Sequence, residues 1–129
     1  MRNLMTTCGI GVVLATFGCD GGGGSSIDEN KVVSTMSDAE ITALCNDARA
    51  EFGTRTVNCG DGVMVTVGIT AEECTSNQFI TKEGCAATAG AVLDCAAAFD
   101  AQTDAQFCSG SGAPPSGCSA AVVACIGGQ

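Results

Sequence analysis

Apolar residues recur at helical spacing over residues 38–52, where Ile41, Leu44, Cys45, Ala48 and Phe52 make one stripe. Ser37 and Glu40 stand at the two ends of a capping box, in which each side chain takes the backbone N–H of the other residue. Met36 and Ile41 occupy the staple positions that flank this cap, and Gly53 is a natural stop. The pattern predicts a helix over 38–52. Beyond it the period shortens to two. Residues 54–59 and 63–67 are β-prone, and Gly60-Asp61-Gly62 between them is a hairpin signal. Val63, Val65 and Val67 then share one face of the hairpin, with Met64 and Thr66 on the other. An isolated hairpin is marginal in water, so it must lean on the helices or be clamped through Cys59.

Thr70 and Glu73 make a second capping box, opening a short helix that contains Cys74 and runs to about Phe79. The adjacent Glu72 and Glu73 are read as first-turn acids that complement the helix dipole. Cys85, Ala89, Val92, Ala96 and Phe99 define a central helix within 81–100, its start set near 84 by Gly84 and Gly90. Thr103 and Gln106 cap one more turn before Phe107-Cys108. Residues 109–117, with Pro114-Pro115, are loop, and 118–126 form a last short helix. The fold class expected is mainly α: a small disulfide-stapled helical domain, residues 36–129, with one β-hairpin.

Ahead of this domain the pattern is different. Residues 4–17 carry no charge and follow Arg2. As a helix they would span about 21 Å at 1.5 Å per residue, short of the ~30 Å hydrocarbon core of a bilayer. A basic start, a short apolar stretch and small residues at its end describe a signal peptide over 1–18. Residues 19–35, rich in Gly and Ser and then in Asp28-Glu29-Asn30-Lys31, read as a flexible tether. The glycine run lacks the strand, the Gly-Lys-Ser/Thr and the following helix of a phosphate-binding loop.

Gly18-Cys19, followed by four glycines and two serines after Asp20, resembles a bacterial lipobox joined to its tether. The two positions before Gly18 hold Thr16 and Phe17, where that motif favours Leu and then Ala or Ser. The resemblance implies lipidation of Cys19 and a membrane anchor; cleavage by an ordinary signal peptidase is the alternative. Parity bears on the choice. Of ten cysteines, Cys8 leaves with the signal peptide, and lipidation of Cys19 leaves Cys45, Cys59, Cys74, Cys85, Cys95, Cys108, Cys118 and Cys125, an even set suited to four bridges. Such density belongs to disulfide scaffolds of oxidising compartments.

Metal binding is disfavoured, because no two cysteines stand at knuckle spacing and the chain has no histidine. Helix geometry limits the pairing. Cys118 and Cys125 on one helix lie about 10 Å apart, and Cys85 and Cys95 about 15 Å, whereas a disulfide needs Cα atoms within roughly 4.4–6.8 Å. Cys59–Cys74 across the hairpin and Cys108–Cys118 across the loop are the pairs expected, with the others tying the first and last helices to the central one.

Beyond the signal peptide only Lys31, Arg49, Arg55 and Lys82 oppose 14 acidic residues. Nothing offers a basic patch to phosphates, so nucleic acid is excluded as a partner. Without histidine or tyrosine, and with its cysteines oxidised, the chain lacks the usual groups for acid–base or nucleophilic catalysis. Asp94, Asp100 and Asp104 are read as a solvated helix face, and no enzyme activity or cofactor is expected.

The chain is also similar to the small cysteine-rich lipoproteins of myxobacterial-type genomes. The likeness lies in Gly18-Cys19 with its tether, in the Cys85–Cys95 segment, and in the Pro-Pro loop followed by two late cysteines. It implies a lipid-anchored envelope protein, at the outer membrane or cell surface, without an assigned activity. The expectation is a binding module for a protein or a small ligand. The alternatives are a passive envelope component and a carrier of a small apolar ligand.

Overall fold

The computed structural model describes residues 27–110 and 113–126. The expected signal peptide, Cys19 and the glycine run lie outside them. The chain forms α1 (Asp38–Glu51), a hairpin of β1 (Arg55–Asn58) and β2 (Met64–Val67), α2 (Ala71–Thr75), α3 (Ala89–Asp100), α4 (Asp104–Cys108) and α5 (Ala120–Val123). Five short helices and one two-stranded antiparallel hairpin, with four disulfides, make up the domain.

The first cap is built as its sequence dictates. Ser37 Oγ accepts the Glu40 N–H at 3.3 Å, and Glu40 Oε2 accepts the Ser37 N–H at 2.8 Å. Met36 and Ile41 on either side are buried. The stripe of α1 packs on α3, where Val92, Cys95 and Ala96 are buried in turn. The strands pair Arg55 with Val67 and Val57 with Val65, which places Val63, Val65 and Val67 on one face as expected. Gly68 follows at φ +119°, and any Cβ there would stand 2.4 Å from the Gly53 carbonyl oxygen, so only glycine lets the strand return so close to the end of α1.

Several expectations are corrected. The central helix begins at Ala89, not near 84, and Cys85 lies outside it. Thr88 caps the helix by accepting the Ala91 N–H, while Gly84 takes a left-handed turn at φ +73°. Residues 80–88 spend their backbone groups on other segments instead: Thr81 N–H on the Cys125 carbonyl, and the carbonyls of Cys85 and Ala87 on Ser34 and Val33.

Residues 29–35, expected as tether, belong to the folded domain. Val32 bridges to Thr88, Gly90 N–H donates to the Glu29 carbonyl at 2.8 Å, and Val33 is wholly buried in a single 3₁₀ turn over Val33–Thr35. Two adjacent valines and a row of backbone hydrogen bonds suffice to fix a stretch whose side chains are otherwise polar.

The second and last helices are shorter than expected. Ser76 Oγ donates back to the Glu72 carbonyl and Asn77 turns left-handed at φ +53°, which ends α2 before Phe79. Ser119 caps α5, leaving Cys118 ahead of the helix and Cys125 beyond it.

The bridges join Cys45 to Cys74, Cys59 to Cys108, Cys85 to Cys125 and Cys95 to Cys118. The expected Cys59–Cys74 and Cys108–Cys118 pairs are therefore wrong. The buried stripe of α1 turns Cys45 toward α2, which contains Cys74. The hairpin leans on α4, where the Arg55 guanidinium lies 5.0 Å over the Phe107 ring and donates to the Gln102 carbonyl at 2.7 Å. Cys118 reaches α3 because Gly117 lets the loop touch it; a Cβ at Gly117 would stand 2.6 Å from Ala98 Cβ. Neither of the two pairings rejected on helix geometry occurs.

Cys and Ala make up nearly half of the buried apolar residues. Small side chains bury little area at about 25 cal/mol per Å². The Cys59–Cys108 bridge interleaves with all three others in sequence, so it alone links the early bridge to the two late ones.

Candidate functional site

The acidic residues weighed as possible catalytic groups stay apart. Asp94, Asp100 and Asp104 are exposed on α3 and α4. Glu73 is committed to its cap, accepting the Thr70 N–H at 2.7 Å. Glu40 carries a perturbed carboxyl. Its Oε1 accepts Lys31 Nζ at 2.6 Å and its Oε2 the Ser37 N–H, and these two contacts hold its pKa down at about 2. The pair pins the N-terminal segment to the first turn of α1, which is structural work. All eight cysteines from Cys45 onward are bonded, so none of them offers a thiol. Among the described residues no cluster of three His, Cys, Asp or Glu side chains is placed to hold a metal ion, and no helix is long and apolar enough to cross a membrane.

The other concave features differ in character. A shallow groove beside Arg49 and Thr70 is open and polar, and its only cation is that arginine. Between α1, α3 and α5 lies an apolar cavity of about 290 Å³. Phe52 at the end of α1 and Ile69 after the hairpin form one wall; Val92, Ala96 and Phe99 of α3 form the second. Phe79, Pro114, Val123 and Ile126 line the remainder, which opens to solvent beside exposed Pro114 and Val123. None of these side chains ionises or carries a hydroxyl. The Phe52 ring stacks on Phe99 at 5.7 Å and on Phe107 at 6.1 Å.

Bridges brace the walls. Cys45–Cys74 holds α1, Cys95–Cys118 joins α3 to the start of α5, and Cys125 lies between the lining residues Val123 and Ile126. An apolar cavity lined in this way can take an apolar guest and offers nothing to a charged one. Its lining comes from segments scattered between Phe52 and Ile126, so no local motif marks it in the sequence.

No protein-family model matches this chain, and no curated protein or solved structure is significantly similar to it.

Proposed function

We propose that the chain is an exported, lipid-anchored envelope protein whose domain is a non-catalytic binding module for a small neutral apolar ligand. The observation that carries the reading is the cavity between Phe52, Val92 and Phe99, apolar on every wall and framed by bridged elements. Its volume is about twice that of an engineered apolar cavity of roughly 150 Å³ that binds benzene, and it lies near the lower end of the range for ligand pockets. A single ring system or a short branched chain fits it.

Two further observations support the address. Four disulfides require an oxidising compartment, and Gly18-Cys19 after an apolar stretch supplies the anchor, at the outer membrane or cell surface. A double or triple acyl anchor is stable, since each buried methylene contributes about 0.8 kcal/mol. The domain over 36–129, with 11 acids against three bases, stands off anionic lipid.

The test is a titration of the oxidised domain with neutral aromatic and branched-chain probes, followed by methyl NMR. Saturable shifts at Val92, Val123 and Ile126 are expected, and Ala96→Phe, which fills the space, should abolish them while the protein stays folded. Absence of saturation with every probe would overturn the ligand reading and leave a passive envelope component.

A further inference from the structure

The bridges have a second property, in the order of their partners. For each of the eight bridged cysteines, some other cysteine lies nearer in sequence than the native partner. Cys45 stands 14 residues from Cys59 but 29 from Cys74. Cys59 stands 14 from Cys45 but 49 from Cys108, and Cys85 stands 10 from Cys95 but 40 from Cys125. In an unfolded chain the probability of closing a loop falls as the three-halves power of its length. The nearer, wrong partner is therefore met roughly three, six and eight times as often in these three cases. The fold does little to correct that bias before the bridges exist. Nearly half of the buried apolar residues are Cys or Ala, and Cys45, Cys74, Cys85, Cys95 and Cys125 are themselves part of the core. The right pairs need the fold, and the fold needs the right pairs.

We infer that the chain is a substrate of a thiol–disulfide isomerase in the compartment where it is oxidised. Closing eight thiols into four wrong bridges leaves no thiolate among them to begin an exchange, so the first attack comes from outside. The isomerase thiolate attacks one sulfur of a non-native bridge, which makes a mixed disulfide and frees the other cysteine as a thiolate. That thiolate attacks the next wrong bridge in turn. The exchange ends when a freed cysteine attacks the mixed disulfide at its native partner and displaces the isomerase thiolate. Four disulfides stand before and after, so no electrons are gained or lost. Burial then protects the native set. Three of the bridges contain at least one buried cysteine, and only Cys59–Cys108 keeps both cysteines partly exposed. This step rests on the exported reading proposed above and not on the cavity.

The experiment exports the full chain in two bacterial strains that both keep a disulfide oxidase, one of them without its isomerase. Bridges are mapped after alkylation and non-reducing proteolysis. With the isomerase the four native pairs should dominate. Without it the Cys59–Cys108 link should fall by roughly sixfold, with Cys45–Cys59 appearing in its place. An isomerase whose second active-site cysteine is replaced by alanine should retain the chain as a mixed disulfide. In a second arm the purified chain is reduced in denaturant and returned to buffer with an oxidant but no thiol. Wrong pairs should prevail there, and catalytic amounts of reduced isomerase should convert them to the native set. Equal native yield in the two strains, native pairing by oxidant alone, or no trapped mixed disulfide would overturn the inference. Free thiols at all eight positions in both strains would overturn the exported address instead, and the refolding arm, run outside any cell, still decides the isomerase step.

Discussion

Replacing Cys59 and Cys108 together by alanine isolates the contribution of one covalent link. The bridge closes a separation of 49 residues. Chain-entropy loss in the unfolded state for such a loop is worth about 4 kcal/mol at 25 °C. Both cysteines are only partly buried, so their truncation adds little cavity cost. The hairpin and α4 then remain joined by the Phe52–Phe107 stack and by Arg55 against Phe107 and Gln102. For a domain of this size each kcal/mol moves the melting temperature by roughly 4–8 °C, so a fall of about 15–30 °C is expected in far-UV circular dichroism.

The Cys45–Cys74 pair, exchanged for alanine in the same way, provides the comparison. Its separation is 29 residues, which lowers the entropic share by only about 0.5 kcal/mol. Both of its cysteines are buried, at 2% and 1% exposure, so emptying their sites costs more than that difference. The Cys45–Cys74 variant should therefore melt lower than the Cys59–Cys108 variant. A fall of less than about 5 °C for Cys59→Ala/Cys108→Ala would refute the reasoning, by showing that the unfolded chain is already compact across that loop.

Further outcomes follow from single contacts. Glu40 is held at about 2 against an unfolded value of 4.5, so its stabilisation is full above pH 4.5 and is lost as pH falls from there toward 2. Thermal melts across that window should drop less steeply in Glu40→Gln than in the parent protein. Gly117→Ala places a methyl 2.6 Å from Ala98 Cβ and should destabilise the domain by about 1–3 kcal/mol in urea unfolding, with partial rescue by Ala98→Gly. Leu44→Ala, at a wholly buried site on α1, should cost about 2–5 kcal/mol by the same measurement.

Local chemistry made much of the fold legible. The caps at Ser37, Thr70 and Thr103 are each formed within four residues, and each appears in the structure with both of its hydrogen bonds. The turn at 60–62 likewise needs only its own residues. What stayed hidden depends on partners distant in sequence. Residues 84–88 have a helical apolar spacing, yet Val33, Ser34 and Thr81 draw the backbone around them into pairs with other segments. The same contacts order residues 29–35, which composition reads as tether. Bridge partners follow from which helix faces meet, and neither Cys59–Cys108 nor Cys95–Cys118 has a local signature. The cavity is hidden for the same reason, since Phe52, Phe79 and Phe99 converge only once α1 and α3 are packed.

The central claim is that sulfur–sulfur links, formed in this pattern, hold together a domain in which nearly half of the buried apolar side chains are Cys or Ala. Disulfide mapping of the protein from its native compartment, by proteolysis under non-reducing conditions and mass spectrometry, tests it most directly. The account predicts four linked peptide pairs, Cys45 with Cys74, Cys59 with Cys108, Cys85 with Cys125 and Cys95 with Cys118. Free thiols at these eight positions, or a different set of partners, would contradict it.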